Sequence, residues 1–116
     1  MDEAQLEDLL HAARTATDPE GRVYTLLDYA LHRPGDLRWR EQLLRDLTPD
    51  NDPRLLGGHL NQLTVYPGHG VFAVPAVLRL TAHPNRWVRG WAAEVLMILA
   101  HDFPAWVTPT DTVSRK

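Results

Sequence analysis

The chain has no cysteine, a single serine at Ser114 and a single lysine at Lys116 among 116 residues. The first absence excludes disulfides, thiolate nucleophiles and thiolate metal sites together. No Gly-x-Ser-x-Gly or dinucleotide fingerprint occurs. Gly68-His69-Gly70 reads as a turn, because a phosphate loop needs aligned N–H groups at a helix start and a lysine beside them. Apolar runs are short, far below the ~20 residues that span a bilayer. Met1-Asp2-Glu3 is acidic where a secretory signal would be basic and then apolar. A soluble cytoplasmic protein is therefore expected. The formal charge of -3 supplies no positive field for nucleic acid. Charge is uneven, since residues 1–50 hold 11 of the 15 acids and six of the 12 bases. Its plainest meaning is a solvated acidic face.

The remainder is ordinary globular composition, 44% hydrophobic and 23% charged, and it is organised by an internal period. Apolar helix positions open at Leu6, Trp39 and Val71. A second set opens 17 residues later each time, at Val23, Leu56 and Val88. Thr15, Thr48 and Thr81 end the first helices, and Pro34-Gly35 and Pro67-Gly68 separate the units. A period of 32 or 33 residues marks stacked supersecondary units, each unable to bury its apolar face alone. The expectation is an all-α, short right-handed α-solenoid of three antiparallel helical hairpins, six helices in all. One domain spans residues 1–107, with units at about 2–33, 36–65 and 69–101. Residues 108–116 form a flexible tail.

Local signals place the helices. Asp2 and Gln5 have capping-box spacing, and Leu6, Leu9, Leu10 and Ala13 form one stripe ending near Thr15. Thr17-Asp18-Pro19 starts a second helix bearing Val23, Leu26, Leu27, Ala30 and Leu31. The third, Asp36 to Leu47, places Trp39, Leu43 and Leu47 on one side with Leu37 and Leu44 beside them. The fourth follows Asp52-Pro53 with Leu56, Leu60 and Leu63. Gly57-Gly58 weakens it by roughly 1 kcal/mol per glycine, and close approach of a neighbouring helix backbone is the expected reason. The fifth, Val71 to Ala82, presents Val74, Val77, Leu78 and Thr81 and is expected to kink at Pro75. The sixth carries Val88, Trp91, Ala92, Val95, Leu96 and Leu99. Beyond Asp102, Phe103 to Pro109 is not expected to be helical.

Within the third unit, the proline-containing first helix, the small polar turn Ala82-His83-Pro84-Asn85, the Val88-Arg89 pair opening the second helix, and then Ala92-Ala93 and Leu96 together resemble a HEAT-like repeat. The match is clear over about residues 71–100 and inferred by periodicity elsewhere. The resemblance implies that Arg89 helps tie adjacent repeats through acidic or carbonyl partners; Tyr24 and Gly57 stand at that register in the other units. Ankyrin and tetratricopeptide repeats have similar periods, but their signatures are missing.

Several residues invite chemistry. Asp36, His69 and Asp102 recur at steps of 33, yet neighbouring helices lie about 8–10 Å apart, too far for equivalent side chains to share an ion without reaching toward one another. They are expected to be helix caps. The His-Glu dipeptide of iron-binding HEAT-type hydroxylases does not occur, and no acid–base pair stands out. Neither enzymatic activity nor a metal or cofactor is expected. Arg86, Trp87, Arg89 and Trp91 form a basic and aromatic cluster of the kind enriched in protein contacts. The alternative use of Arg86, Trp87 and Arg89 is nucleic-acid binding, as in HEAT-like DNA glycosylases, but clustered cations are few.

A non-catalytic protein-binding module is thus expected. Its second helices would present Tyr24, Asp28, Asn61, Gln62, Arg86, Trp87, Arg89 and Glu94 to a protein partner. The last helix is apolar almost all round, Met97 and Ile98 included, so its end needs a cover: the Phe103–Trp106 tail, a second copy of the chain, or a partner. The first helix, with Glu3, Glu7 and Asp8 outward, is expected to be a polar cap.

Overall fold

The computed structural model describes residues 1–103, and these are all-α. Six α-helices follow in order: α1 (Glu3–Thr15), α2 (Pro19–His32), α3 (Leu37–Asp46), α4 (Pro53–Val65), α5 (Val74–Leu80) and α6 (Arg86–Asp102), with a 3-10 segment, Pro67–Ala73, before α5. Residues 104–116, which hold all of the expected Phe103–Trp106 cover except Phe103 and the whole 108–116 tail, lie outside the described residues; Phe103 itself is 37% exposed.

Side-chain caps account for most of the boundaries. Asp2 and Gln5 complete the capping box of α1. Asp18, Asp36, Asp52 and Asn85 each accept backbone N–H groups at the starts of α2, α3, α4 and α6, satisfying donors the helix cannot bond itself. The three periodic threonines share one task at the other ends. Each donates its hydroxyl to a carbonyl of the last turn: Thr15 to His11 (2.9 Å), Thr48 to Arg45 (3.1 Å) and Thr81 to Leu78 (2.6 Å).

The second helices form a continuous row, α2 against α4 and α4 against α6, while α1 packs on α2 and α5 on α6. One core runs through them, from Leu6, Leu10 and Leu26 through Leu43, Leu56 and Leu60 to Val77, Val95 and Leu99. Each such side chain contributes about 1.5–3 kcal/mol by leaving water.

The third unit departs from expectation at its start. The chain is 3-10 through Val71, and α5 begins only at Val74. Pro75 is therefore in the first turn rather than at a kink. Its ring would clash with the carbonyl four residues back if an α-helix continued through Val71, whereas in the first turn its missing N–H costs nothing.

The edges of the buried stripe differ in three places as well. In α3 Trp39 and Leu43 are buried as expected, and Leu47 just after it, but Gln42 and Asp46 complete the set, while Leu37 is 65% exposed and Leu44 is also at the surface. In α5 Ala76, Val77 and Leu80 point inward, and Leu78 is 55% exposed. In α2 the fully buried Tyr29 takes the place expected of Leu31.

Candidate functional site

The second-helix face carries a groove of about 530 Å³ near the N-terminal ends of α2, α4 and α6. Its floor is α4, where Gly57 and Gly58 act differently. A Cβ on Gly57 would meet nothing within 4 Å, so this glycine deepens the groove. A Cβ on Gly58 would come within 2.9 Å of Val23 Cγ2. The close approach is therefore made by a side chain of α2, not by its backbone. Tyr24 from α2 and Trp87 and Trp91 from α6 supply aromatic lining, and Asn61 and Gln62 extend the floor. Tyr24 is 57% and Trp87 67% exposed.

Four of the eight expected contact residues, Tyr24, Asn61, Gln62 and Trp87, thus come together, and the other four lie outside the groove lining. Asp28 is paired with His32 at 3.3 Å along α2. Arg86 lies over the Trp87 ring, 5.2 Å from its centroid. Glu94 is exposed. Arg89 donates to the carbonyls of His83 and Pro84, both at 2.9 Å, and so braces the turn of its own unit rather than bridging two units. The groove also uses Asp18, Pro19, Glu20, Pro53 and Arg54, which as sequence carry only helix-start signals.

Ties between units come from elsewhere. His83 Nε2 donates to the Pro49 carbonyl at 3.1 Å, joining the turns of the second and third units. Arg38 is shared by its own cap Asp36 and by Glu3 and Glu7 of α1, so the acidic outer face of α1 is partly an interface with α3.

The largest unanticipated feature is a buried polar network. Asp46 Oδ1 accepts from Arg22 Nη2 and Gln42 Nε2, both at 3.0 Å, and Asp46 Oδ2 accepts from His59 Nε2 at 2.9 Å. Gln42 Oε1 in turn accepts from Arg14 Nε at 3.0 Å. Four helices meet in these five side chains. Asp46 and His59 stand 33 residues after Ala13 and Leu26, both core positions. Polar residues at apolar registers were the available signal. The His–Asp pair invites an acid–base reading, but both groups are almost fully buried. The cavity beside His59 is only about 30 Å³, far smaller than the ~300 Å³ and more of small-molecule sites. The pair ties α3 to α4.

Burial alone would raise the Asp46 pKa; the His59 contact, helped by Gln42 and Arg22, outweighs it and holds the carboxyl below its ordinary value. Asp36 is likewise depressed by Arg38. Burial, followed by the nearby Asp36 carboxylate, pushes Tyr29 up to about 12. A depressed carboxylate stabilises the fold above its unfolded pKa, and that contribution is lost as pH falls through the folded value. A raised phenol contributes below its unfolded pKa and loses that contribution as pH rises through the folded value. Melting temperatures are thus expected to be highest between about pH 7 and 9. They should begin falling below about pH 6.5 as the half-buried His69 resists protonation, fall more steeply below about pH 4, and fall again from about pH 10 to about 12. In alkali the phenolate absorbance should include a late step toward about pH 12 worth one of the three tyrosines, and Tyr29→Phe should remove that step alone. Asp46→Asn should shallow the acid slope, and an unchanged slope would remove Asp46 from the account.

The other two recurring polar positions are not caps. His69 lies in the 3-10 segment between the rings of Trp39 and Tyr66, at 5.3 and 5.4 Å, with its pKa lowered by burial and then by Arg40. Asp102, the last residue of α6, accepts from His101 Nδ1 at 2.9 Å. Only Asp36 has the capping role. Among the described residues no three acidic or histidine side chains gather as a metal site would require, and no helix is long and apolar enough to cross a membrane. The chain matches no protein-family model, no curated protein and no solved structure.

Proposed function

We propose that this chain is a short HEAT-like α-solenoid that works as a non-catalytic protein-binding module, holding its partner in the groove across α2, α4 and α6. The observation that carries this reading is the pair of large aromatic side chains, Tyr24 and Trp87, left more than half exposed beside a glycine-floored cleft. A small-molecule pocket buries its aromatic lining around the ligand. Exposed tyrosine and tryptophan spread over three helices suit a broad polypeptide contact, where these residue types supply most of the binding energy.

Charge weighs against the nucleic-acid alternative. Arg89 is engaged with carbonyls, Arg54 is bonded to Asp52 at 3.0 Å, and Asp18 and Glu20 would face the phosphates. Arg86 alone would oppose them on the α6 side.

The test is affinity capture from an extract of the source cells, with the wild-type chain and with Tyr24→Ala/Trp87→Ala as bait. Both substitutions are at the surface, so helical circular dichroism should be unchanged. A partner retained by the wild type should be lost from the double variant, each truncation lowering affinity about tenfold or more. A partner held equally by both would place the binding surface elsewhere.

A further inference from the structure

We infer that the groove takes a cationic segment of its protein partner, an arginine or lysine whose head reaches Asp18 and Glu20 while its stem and an apolar neighbour lie against Tyr24 and over Gly57. This rests on the peptide-binding reading of the groove given above. The ionic inventory of the lining is short. Arg54 is already matched by Asp52, Nη2 to Oδ2 at 3.0 Å. Asp18 gives one oxygen, Oδ2, to the Gly21 N–H at 3.0 Å. Neither Asp18 nor Glu20 has an ion-pair partner among the described residues. The α2 wall therefore presents two exposed carboxylates without a direct ion pair beside an exposed phenol ring; Arg54 acts on Asp18 only at longer range, and the lining as a whole stays net acidic at this wall.

Such a wall selects by charge. An acidic side chain would meet like charge at close range, whereas a cation gains both carboxylates and the negative face of the ring. Arginine and lysine also suit the shape, because their long apolar stems cover hydrophobic surface while the head stays polar. On the α6 wall the Trp87 ring already holds the Arg86 guanidinium, 5.2 Å from its centroid. That places the incoming cation on the α2 side and leaves Trp91, Val88 and the open space above Gly57 for an apolar neighbour.

The probe is a displayed random-peptide library selected on the intact protein and, in parallel, on Gly57→Leu. In that variant a leucine fills the groove at a position where a Cβ meets nothing. Peptides enriched on the wild type alone are expected to combine arginine or lysine with an aromatic or aliphatic residue. As synthetic peptides they should lose about tenfold in affinity on Asp18→Asn/Glu20→Gln, and should weaken with salt. Asparagine keeps the α2 cap, so this variant should fold as the wild type does. Neutral or acidic winners, or winners indifferent to Asp18→Asn/Glu20→Gln, would overturn the cationic assignment and leave the groove as a peptide site. Identical enrichment on wild type and Gly57→Leu, or none on either, would overturn both readings.

Discussion

Asp46→Ala is expected to lower the unfolding free energy by about 3–5 kcal/mol, the range for removing one member of a buried ion pair. In a domain of this size that is a fall in Tm of roughly 10 °C or more. The cost comes from what stays behind. Arg22 from α2, Gln42 from α3 and His59 from α4 all donate to this one carboxylate, and alanine leaves three donors facing one another without an acceptor. The Arg22 side chain, 28% exposed, can turn partly toward water, but His59 and Gln42 cannot. The complementary variant makes the argument sharper. Replacing Arg22, Gln42, Asp46 and His59 together by apolar residues of similar volume should recover most of the loss, because no buried polar group of the network then remains unpaired and the exposed Arg14, which loses Gln42, can turn to water. Chemical unfolding of the single and quadruple variants decides the matter. If Asp46→Ala costs less than about 1 kcal/mol, the network does not hold the helices together.

Gly57→Ala and Gly58→Ala are expected to move stability in opposite directions, although they are adjacent in one helix. Alanine is the better helix former by about 1 kcal/mol. At Gly57 its methyl enters open space, so that gain should be realised almost in full. At Gly58 the methyl would stand 2.9 Å from Val23 Cγ2. Valine has one strongly preferred rotamer in a helix and cannot swing aside, so α2 and α4 must separate. Overpacking of this kind costs about 1–3 kcal/mol, and a net loss of about 1–2 kcal/mol is expected after the propensity gain. Urea unfolding measures both variants. Val23→Ala added to Gly58→Ala should relieve the clash, giving a double variant more stable than the two single effects predict. A Gly58→Ala protein as stable as wild type would mean that the two helices have slack between them.

The period, the helix-start caps and all six helices were legible because their signals are local, only the start of α5 being displaced. A carboxylate before a helix, a proline in its first turn and a stripe at 3.6-residue spacing act within one element. The edges of a stripe were not legible where leucines misled. Counting only apolar residues, α3 reads as Trp39, Leu43 and Leu47 flanked by Leu37 and Leu44; the first three are buried, the flanking two are not. Its true stripe, Trp39, Gln42, Leu43 and Asp46, is half polar, and the donors that make this tolerable arrive from Arg14 on α1, Arg22 on α2 and His59 on α4. No single-helix pattern announces such a partner. The groove was half legible for a related reason. Its aromatic walls belong to the second helices, as the period implied, but it sits at their first turns. There Asp18, Glu20 and Arg54 look like caps and dipole partners until three helix starts are brought side by side.

The polar network also bears on how this chain can have grown. Repeat arrays commonly lengthen by copying a unit in tandem, which requires each interface to accept its own duplicate. Here the position one period after Arg22 is Leu55, and the position one period after Arg14 is Leu47. A second copy of the middle unit, stacked on the first, would set its own Asp46 carboxylate against a leucine and its own Gln42 amide against another. A buried carboxylate without its guanidinium costs up to several kcal/mol, a penalty that would be set against what the added hairpin gains by stacking. The middle unit is thus matched to the particular unit beneath it, and simple duplication there carries a penalty that a unit without Asp46 and Gln42 would not.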